Sequence, residues 1–338
     1  MVRATRATWA AVALVLAAGA PACSSDDDAA GGDPPTGTEA PAVEVTAADG
    51  PFATGWRTDV LVDGSRTTDA VPDRQPELPE RTIEVEVFYP AEGEPGPEPT
   101  GEAFGGDTAA TEGAPPAEGA FPLVVFGHGF GGRADHFRGL AERWAREGYV
   151  VALPSFPLSR EEVGVFDLPA QPGDVSFVID ELTALPDDDP LAGHVDAERI
   201  AVGGHSLGAA TTFAVACNSC CRDERIDTTI PVAGGTLPME GGDYEDPPGV
   251  PMLLVHGAQD QVVPVDVGDA MFEIFDPVWY LRPAAADHVT VFVGEEGRLF
   301  ADAAVAFLDA HLMGDEGALA AFGDEVTASG VAEWRTGP

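Results

Sequence analysis

The sequence predicts an α/β fold in which a mostly parallel central sheet is flanked by helices on both faces. Short apolar runs of the β type alternate along the chain with segments whose apolar residues recur at helical spacing. Such alternation is typical of parallel strands joined by crossover helices. Hydrophobic residues make up 44% of the 338 residues, which is enough to bury a large core.

The individual strands and helices are predicted from their periodicity. Residues 82–89 alternate apolar and polar side chains, as in a half-buried strand, whereas residues 123–126 are continuously apolar, as in a central parallel strand. Helical spacing marks residues 135–147 and 175–185, and a last helix around 300–311. Further strands are predicted at 149–153, 200–202, 229–232, 252–255 and 278–281, with a helix of small residues at 206–217.

The first 22 residues have the features of an export signal peptide. A basic start is followed by an apolar run too short to span a bilayer with ease, and then by small residues. Cys23 comes next, as in the lipobox of bacterial lipoproteins, although Ala20 stands where leucine is usual. Lipidation of Cys23 and plain secretion after cleavage behind Ala22 both stay open. In either case the mature protein is expected to start at Cys23 and to lie outside the cytoplasm, lipid-anchored to the outer face of the membrane or secreted.

Two segments are too poor in large apolar side chains to form packed domains. Residues 23–50 are rich in Asp, Gly, Pro and Ala and are interpreted as a disordered acidic tether. Residues 91–120 contain repeated Glu-Pro and Gly-Pro steps and are interpreted as a mobile loop between two strands. Residues 51–338 are therefore expected to form one catalytic domain that includes this loop.

The charge of the chain excludes several kinds of partner. Asp and Glu number 58 against 17 basic residues, which gives a net charge of −41, and every basic residue is Arg. Nucleic acid and anionic lipid surfaces are both bound through clustered cations, so neither is an expected partner. Contact with a membrane is expected only through a lipid on Cys23, and the chain is expected to be a monomer.

The strongest motif is the Gly-x-Ser-x-Gly formed by Gly204, Ser206 and Gly208. It follows a predicted strand and precedes the helix of small residues, which is the context of a nucleophile elbow. The two glycines leave room for a tight turn that lifts the Ser206 hydroxyl clear of the sheet. Because Ser206 then lies at a helix N-terminus, the backbone N–H of Leu207 can face an oxyanion. Ser206 is therefore the candidate nucleophile.

With this motif and three others, the chain resembles the α/β-hydrolase family. Within that family it is similar to bacterial dienelactone-hydrolase-like, chlorophyllase-like and cutinase or polyester-hydrolase esterases. The resemblance covers residues 56–312. It is carried by the glycine-rich segment 128–132, the elbow at 204–208, the loop of Asp260, and His288.

The resemblance implies an α/β-hydrolase fold and a serine esterase activity. In the family, a His-Gly-x-Gly segment supplies the second oxyanion donor, which here would be the backbone N–H of Phe130. A glycine-rich loop after a buried strand also suits close approach of the backbone to a ligand. The dienelactone hydrolases proper use a cysteine nucleophile, so Ser206 departs from their pattern and favours ordinary esters.

The family order of serine, acid and histidine places the acid after Ser206. Residues 253–264 form a strand that runs into a loop with one carboxylate, and this loop resembles the acid loop of the family. Asp260 is therefore the candidate acid. Asp266 and Asp269 are less suitable because a helix is expected to begin there, with Asp266 as its N-cap.

The catalytic base must be a histidine after Asp260, which leaves His288 and His311. His311 lies on one face of the last predicted helix and is interpreted as structural. His288 lies in a loop after a predicted strand, where the family places its base, and is therefore the candidate base. His128 and His205 precede the acid and are interpreted as supports of the active loops, and His136 and His194 are assigned to the surface.

Phe130, His205 and Phe156 are the candidate substrate contacts. The loop 155–171 is rich in apolar side chains and is expected to line the acyl or alcohol side of the site. Residues 234–251 contain too few large apolar side chains to form a cap with its own core, so the site is expected to be open. An open site suits short or medium acyl chains and polymeric esters.

Three cysteines follow the helix of the elbow in the sequence Cys-Asn-Ser-Cys-Cys. In an oxidising space, a short-range disulfide from Cys217 to Cys220 or Cys221 is expected, with the third thiol free. A zinc or redox role would need a Cys-x-x-Cys with further ligands, and no second cysteine pair occurs in the sequence. No metal site is therefore expected.

Together these patterns predict an exported serine carboxylic-ester hydrolase with no cofactor. The sequence contains no phosphate loop, dinucleotide fingerprint or spaced set of metal ligands. Two alternatives stay open: a lipid acyl-hydrolase or peptidase on the same fold, and a non-catalytic surface-binding lipoprotein. The complete serine, acid and histidine order counts against the second alternative.

Overall fold

The computed structural model describes residues 50–99, 108–245 and 247–337. The predicted export signal, Cys23 and all of the tether except its last residue lie outside the described residues. Within the described residues, no helix combines the length and the apolar character needed to cross a membrane.

Strands and helices alternate along most of the described chain. The strands are β1 (Ala53–Asp63), β2 (Arg81–Ala91), β3 (Thr111–Glu112), β4 (Phe121–Gly127), β5 (Val150–Ser155), β6 (Val195–His205), β7 (Thr228–Val232), β8 (Met252–Val255), β9 (Val278–Pro283) and β10 (Ala332–Thr336). The α-helices are α1 (Arg138–Arg146), α2 (Gln171–Thr183), α3 (Leu207–Cys217), α4 (Val265–Ile274), α5 (Gly294–Leu308) and α6 (Glu316–Ser329).

All of these strands join one sheet, in the order β10-β9-β8-β7-β6-β4-β5-β2-β1-β3. The strands β4 to β9 run parallel to their neighbours within this group, which confirms the predicted parallel centre. Antiparallel pairs lie towards the two edges, between β1 and β2, β2 and β5, and β9 and β10. The carboxyl ends of the six parallel strands therefore meet at one edge, where open α/β sheets bind their ligands.

Apolar cores cover both faces of the sheet. Along β4, Val124 and Phe126 join a core shared with α1 and α5, whereas Leu123 and Val125 join a second core shared with α2 and α3. Alternation with period two is what a strand buried on both faces requires. Each large apolar side chain fully buried in these cores contributes about 1.5–3 kcal/mol relative to exposure.

The predicted last helix is followed by two further elements. The segment predicted at 300–311 lies in α5 and a short π-helical turn, but α6 and β10 come after it, so the prediction of a last helix there is wrong. The helix α6 buries few large side chains, among them Leu319 and Val326, and its periodicity is correspondingly weak. A Cβ on Gly323 would lie 2.5 Å from Nε1 of Trp334, so α6 packs directly on β10.

The described parts of the segment 91–120 lie along the outer edge of the sheet. Its strand β3 pairs with β1, and Ala91 forms an isolated bridge with Pro116. In the sheet order, β4, β5, β2 and β1 separate β3 from β6. This segment therefore lies away from the end of β6.

The connection between β7 and β8 carries no cap in its described part. Residues 233–245 and 247–251 contain neither a helix nor a strand. Leu237 and Met239 of this connection pack instead in a small apolar cluster with Leu207 and Ala210 of α3.

Candidate active site

The Gly-x-Ser-x-Gly motif forms a strained turn between β6 and α3. Ser206 lies between the two elements with φ 56° and ψ −110°, a conformation that costs a non-glycine residue about 1–3 kcal/mol. Backbone hydrogen bonds hold it on both sides. The N–H of Ser206 donates to the carbonyl of Val232 at 2.9 Å, and the carbonyl of Ser206 accepts from the N–H of Ala210 at 3.1 Å. This is the strand-to-helix geometry of a nucleophile elbow.

The two glycines of the motif are required by close backbone packing. A Cβ on Gly204 would lie 2.6 Å from the carbonyl group of Gly208 and 2.9 Å from the carbonyl oxygen of Gly127. A Cβ on Gly208 would collide with the same carbonyl group of Gly127. The start of α3 therefore crosses the ends of β4 and β6 in direct backbone contact.

Asp260 and His288 come together although 28 residues separate them along the chain. Asp260 follows β8 and His288 follows β9, and these two strands are parallel neighbours in the sheet. Oδ2 of Asp260 lies 2.7 Å from Nδ1 of His288. Oδ1 of Asp260 accepts the backbone N–H groups of Val262 at 2.8 Å and Val263 at 2.9 Å, which fixes the orientation of the carboxylate.

The environment of Asp260 favours its ionised form. Burial by itself would raise the pKa of this carboxyl, but hydrogen bonds from His256 and His288 and from the N–H of Val263 hold the pKa well below its usual range. Asp260 is therefore ionised at neutral pH. An ionised partner at Nδ1 keeps the proton of His288 on that nitrogen and leaves Nε2 free to accept another proton.

His256 is a neighbour of the acid to which the sequence assigned no role. Its side chain is fully buried, and its Nε2 lies 3.4 Å from Oδ2 of Asp260 and 2.9 Å from the carbonyl oxygen of Val263. His256 precedes Asp260 by four residues, on the loop that leaves β8. This four-residue spacing could have indicated the contact between His256 and Asp260, because a tight loop brings its first and last residues close together.

His205 joins the loop of His288 to the elbow. Its Nε2 lies 2.9 Å from the carbonyl oxygen of His288, and the centres of the two imidazole rings are 4.7 Å apart. Burial and the charge that His288 can carry lower the pKa of His205 to about 3, so His205 is neutral and donates its Nε2–H to that carbonyl. Because His205 directly precedes Ser206, this contact docks the loop of the candidate base on the elbow.

The glycine-rich loop after β4 packs against the elbow. A Cβ on Gly129 would lie 3.1 Å from the Cβ of Ser206. Gly131 has φ 69°, and its N–H donates to the carbonyl of Ser159 at 2.6 Å. Among the described residues, no backbone acceptor is found for the N–H of Phe130, which lies between these two glycines.

A second backbone N–H is available at the start of α3. Leu207 is the first residue of that helix, so its N–H has no acceptor within the helix. The aligned peptide dipoles of α3 add positive potential at the same place. Within the described residues, the N–H groups of Phe130 and Leu207, the two candidate oxyanion donors, thus have no backbone acceptor.

His128 ties the glycine-rich loop to the strand β5. Its Nδ1 lies 2.7 Å from the carbonyl oxygen of Gly129, and its Nε2 accepts the backbone N–H of Phe156 at 3.1 Å. Burial lowers the pKa of His128 to about 4. The ring is therefore neutral and carries its proton on Nδ1, because a protonated Nε2 would point its hydrogen at another N–H.

Two predicted substrate contacts are wrong for the described conformation. Phe156 is fully buried, and its ring centre lies 5.2 Å from that of His128. The first residue of the loop 155–171 to follow β5 is thus folded into the core rather than into the cleft. His205 is also buried, with its ring against His288. Phe130, in contrast, is 45% exposed and accessible to a substrate.

Four exposed apolar side chains lie on or next to the loops that follow β4, β5, β8 and β9. Phe130 on the glycine-rich loop is joined by Phe166 on the loop 155–171, which is 57% exposed. Val262, two residues after Asp260, is 69% exposed, and Val289, directly after His288, is 42% exposed. We call these four residues the apolar rim. An exposed apolar side chain beside a catalytic segment is a candidate substrate contact.

Two comparisons with known proteins identify the fold and the class of enzyme. The model of the chlorophyllase family matches residues 111–240, which include the glycine-rich loop and the elbow. The ferulic acid esterase from Streptomyces cinnamoneus, a solved structure, is 25% identical to the chain with a TM-score of 0.57, and the alignment covers 80% of this chain and 93% of that one. The chain has the α/β-hydrolase fold and is a carboxylic-ester hydrolase. No curated protein matches it.

The other carboxylate beside the base has a local structural role in this esterase. Asp287 directly precedes His288, but its Oδ1 accepts the backbone N–H groups of Val289 at 3.0 Å and Thr290 at 2.8 Å. These backbone bonds lower the pKa of Asp287. Asp287 therefore stabilises the turn that follows the base.

The two aspartates set aside as acids lie on α4. The N-cap of this helix is Pro264, so the prediction of Asp266 as the N-cap is wrong. Asp266 lies in the first turn, where a negative charge still interacts favourably with the helix dipole. Asp269 accepts a hydrogen bond from Arg335 of β10 at 2.6 Å, which ties α4 to the sheet edge.

Two further histidines, His311 and His194, were assigned structural and surface roles from the sequence. His311 packs its ring between Phe307, at 4.5 Å, and Trp279, at 4.8 Å, which agrees with a structural role. His194 lies 2.9 Å through its Nδ1 from the carbonyl oxygen of Gly119 in an exposed contact.

The cysteine pairing of the esterase differs from the prediction. The disulfide joins the adjacent residues Cys220 and Cys221, so the predicted bond to Cys217 is wrong. Cys217 is the last residue of α3 and is buried in the core on that face of the sheet, which removes its thiol from the loop. Burial raises the pKa of this free thiol to about 12. Within the described residues, no group of three or more His, Cys, Asp or Glu side chains could hold a metal ion.

We expect the esterase to lose stability as the pH falls below neutral because of its buried histidines. An unfolded histidine binds a proton below about pH 6.5, whereas folded His128 and His205 do so only near pH 4 and 3. Between these values the unfolded state binds more protons, so the free energy of unfolding falls with decreasing pH. The substitution His128→Gln, which keeps an acceptor for Phe156, should reduce this fall between pH 7 and 4.5 by on the order of 2 kcal/mol.

Urea unfolding at both pH values measures this effect. The substitution His194→Gln removes a histidine that is only partly buried and serves as the control. An equal fall in wild type, His128→Gln and His194→Gln would show that His128 does not cause the pH dependence.

Proposed function

We propose that the esterase cleaves its substrates with Ser206 as nucleophile, His288 as general base and Asp260 as the carboxylate that orients the base. One observation carries the proposal. The buried, ionised Asp260 contacts Nδ1 of His288 at 2.7 Å, and the loop of His288 docks on the residue that precedes Ser206 at its strained elbow. Nucleophile, base and orienting acid in this relation define the triad mechanism whatever the fold.

In the first half of the reaction, the hydroxyl oxygen of Ser206 attacks the carbonyl carbon of the ester, and Nε2 of His288 takes the hydroxyl proton. Asp260 stabilises the resulting imidazolium without accepting its proton. The imidazolium then donates the proton to the departing alkoxide, which leaves an acyl group on Ser206. In the second half, His288 takes a proton from water, and the resulting hydroxide attacks the acyl carbon. The bond to the Ser206 oxygen then breaks, the imidazolium returns its proton to that oxygen, and the acyl group leaves as the carboxylic acid.

The negative oxygen of each tetrahedral intermediate is proposed to bind the N–H groups of Phe130 and Leu207. Both groups are fixed before substrate arrives, since one lies in a loop packed on the elbow and the other opens α3. Loss of one such donor typically costs about 2.7–4 kcal/mol of transition-state stabilisation. Neither N–H requires a side chain, so the hole is insensitive to substitution except where the backbone moves.

Labelling with a fluorophosphonate probe tests whether the protein is catalytic. The probe should label wild type and leave Ser206→Ala unlabelled, because it reacts with an activated serine. A non-catalytic surface-binding lipoprotein would leave both proteins unlabelled. A substrate panel of p-nitrophenyl esters, a triglyceride, a peptide anilide and a feruloyl ester then separates a carboxylesterase from a lipid acyl-hydrolase or a peptidase. The feruloyl ester is included because the structural neighbour is named a ferulic acid esterase.

The proposed substrates are short- or medium-chain esters and polymeric or other bulky esters. The apolar rim offers a contact surface for apolar groups, and the described connection between β7 and β8 places no cap over the site. An uncovered site admits a long chain that lies across the surface, but it offers no deep tunnel to bury a long acyl chain.

We expect p-nitrophenyl butyrate to be hydrolysed faster than the palmitate ester, and tributyrin to give simple saturation. A lidded lipase would show a sharp rise in rate above the solubility limit of tributyrin, because an interface opens its lid. Initial rates measured across that limit decide between the two. A sharp rise, or a preference for the palmitate, would contradict the open-site proposal.

The rim itself is tested with a matched pair of exposed valines. The substitution Val262→Ser should lower the rate on an insoluble polyester film while the rate on p-nitrophenyl acetate stays near the wild-type value. Val60 on β1 is 62% exposed, close to the 69% of Val262, but it lies at the far edge of the sheet. The substitution Val60→Ser should therefore leave both rates unchanged, and an equal loss in both variants would count against a binding role for the rim.

We also propose that the enzyme is exported and carries a lipid on Cys23. The support is the order of basic, apolar and small residues before Cys23 in the sequence. Metabolic labelling with a fatty-acid analogue should label the wild-type chain and not Cys23→Ser. Absence of label on an exported wild-type chain would favour plain secretion.

A further inference from the structure

Gln171, at the start of α2, is a fully buried amide that the proposed mechanism does not use. Its Nε2 donates to Oγ of Ser159 at 2.8 Å and to Oδ1 of Asp167 at 2.9 Å. Its Oε1 accepts the hydroxyl hydrogen of Thr211 at 2.5 Å. Both amide hydrogens and the amide oxygen are therefore bonded to protein groups.

The orientation of this amide is fixed by its charged neighbour. Asp167 receives a hydrogen bond from Arg81 at 3.0 Å and can only accept hydrogen bonds as a carboxylate. The N–H side of Gln171 must therefore face Asp167, because the reverse orientation would bring two acceptor oxygens together. The amide oxygen of Gln171 therefore faces Thr211, whose hydroxyl donates to it.

One arm of Gln171 reaches the glycine-rich loop. Ser159, which Gln171 binds through its hydroxyl, accepts the N–H of Gly131 with its own carbonyl at 2.6 Å. Gly131 directly follows Phe130, whose N–H is one proposed oxyanion donor. A shift of Ser159 would therefore move the peptide group that follows Phe130.

The other arm of Gln171 reaches the start of α3. The hydroxyl of Thr211 that donates to Gln171 also lies 3.0 Å from the carbonyl oxygen of Leu207, one helical turn earlier. The N–H of Leu207 is the second proposed oxyanion donor. A single side chain thus connects the two backbone segments that must bind the same substrate oxygen.

A buried ion pair fixes the first turn of α2, which carries Gln171. Arg81, at the start of β2, bonds Asp174 of α2 through two nitrogens at 2.5 and 2.6 Å. Arg81 is 2% exposed and Asp174 is fully buried. A two-bonded guanidinium–carboxylate pair has a defined geometry, so it holds the first turn of α2 in one place against the sheet.

We propose that Gln171 is a positioning residue that sets the separation between the N–H groups of Phe130 and Leu207. The inference rests on the proposed function, since it assigns Gln171 to the oxyanion hole of that reaction. It acts through Ser159 and Thr211 and does not touch the substrate.

The substitution Gln171→Met keeps the side-chain length and removes all three hydrogen bonds. We expect kcat for p-nitrophenyl butyrate to fall by about 10- to 100-fold, because a displacement near 1 Å at a reacting centre has an effect of that size. KM should stay within about threefold of wild type, since the donors bind the transition state more tightly than the substrate. A boronic acid inhibitor, whose boron bonds the Ser206 oxygen to form a tetrahedral adduct, should lose affinity by a factor similar to that in kcat/KM.

A control and a rescue separate positioning from general stability. Glu142 of α1 is also buried and anchors another loop, since its Oε2 accepts the hydroxyl of Thr108 at 2.6 Å and the N–H of Ala109 at 3.0 Å. Glu142→Met should lower the melting temperature without the loss of kcat or boronate affinity. The double substitution Asp167→Asn with Gln171→Glu exchanges donor and acceptor across their contact. This double variant should therefore keep most of the wild-type kcat and most of the wild-type boronate affinity.

A folded Gln171→Met enzyme with wild-type kcat and boronate affinity overturns the inference, as does an equal loss in Glu142→Met. If Gln171→Met does not fold, Thr211→Val cuts only the arm to α3, and a folded Thr211→Val enzyme with wild-type kcat and boronate affinity overturns it instead. Failure of the fluorophosphonate to label wild type, together with no ester turnover, overturns the proposed function and this inference with it. Labelling and turnover in wild type with unaltered variants overturn the inference alone.

Discussion

Replacing Ser206 with alanine should lower kcat for ester hydrolysis by roughly 10⁴- to 10⁶-fold, the range seen when a triad nucleophile is removed. The fold should persist, because alanine keeps the Cβ, and the two backbone hydrogen bonds to Val232 and Ala210 that hold the elbow do not involve the hydroxyl. Alanine has the same cost at positive φ as serine, so the strain of the turn is unchanged. Turnover of p-nitrophenyl butyrate and the thermal midpoint of the purified variant measure both statements.

An exposed serine provides the matched control for this substitution. Ser219 follows α3, and its Oγ accepts the N–H of Asp243 at 3.0 Å, outside the elbow. Ser219→Ala should keep wild-type turnover. Turnover of Ser206→Ala well above the uncatalysed rate would mean that another group is the nucleophile.

The substitution Asp260→Asn should lower kcat by about 10⁴-fold, the effect of the same change in a triad whose geometry is otherwise intact. The amide nitrogen of asparagine can face Nδ1 of His288, and the histidine then carries its proton on Nε2, where it cannot accept one from Ser206. The parallel substitution Asp287→Asn should change kcat by less than about tenfold. Asp287 bonds the backbone of the following turn, and an amide oxygen can accept those same N–H groups.

The comparison of the two aspartates is informative because both lie next to the base, one in the chain and one in space. kcat/KM for each variant at the pH optimum of wild type gives the two losses directly. A larger loss in Asp287→Asn than in Asp260→Asn would mean that the acid is wrongly assigned.

The elbow and the loops of Asp260 and His288 could be placed from the sequence because each is a local pattern at the end of a strand. A parallel sheet brings the carboxyl ends of its strands to one edge, so residues far apart in the chain meet there. The contact of Asp260 with His288 follows from that rule, once β8 and β9 are neighbours. The order of the strands was implied by the family resemblance and not by the periodicity.

The supporting side chains could not be found in this way, because their partners are distant and follow no spacing. Gln171 bonds Thr211, which is 40 residues further along the chain. Phe156 and His205 were misplaced for a related reason. A residue at the end of a strand can turn either into the cleft or into the core, and only packing decides which.

The outer elements of the sheet gave weak signals for a different reason. The exposed face of β1 carries Val60 and Val62, which are 62% and 47% exposed, whereas its more buried face carries Arg57 and Asp59, so apolar residues do not mark the buried face of this strand. At the other edge, β10 has only one buried residue, Ala332. Edge strands are stabilised mainly by their hydrogen bonds to a neighbour, and those bonds leave no trace in the choice of side chain.

The arrangement of the sheet has a consequence for any attempt to redesign this catalyst. Neighbouring strands are held about 4.8 Å apart by main-chain hydrogen bonds, whatever side chains they carry. Asp260 and His288 follow strands that are one such step apart, whereas β7 lies between β8 and β6, the strand that directly precedes Ser206. Repacking a helix on either face leaves these separations unaltered to first order. Moving the acid or the base to another strand therefore shifts it by a multiple of this spacing. Smaller changes in its position must come from the length of the loop that carries it.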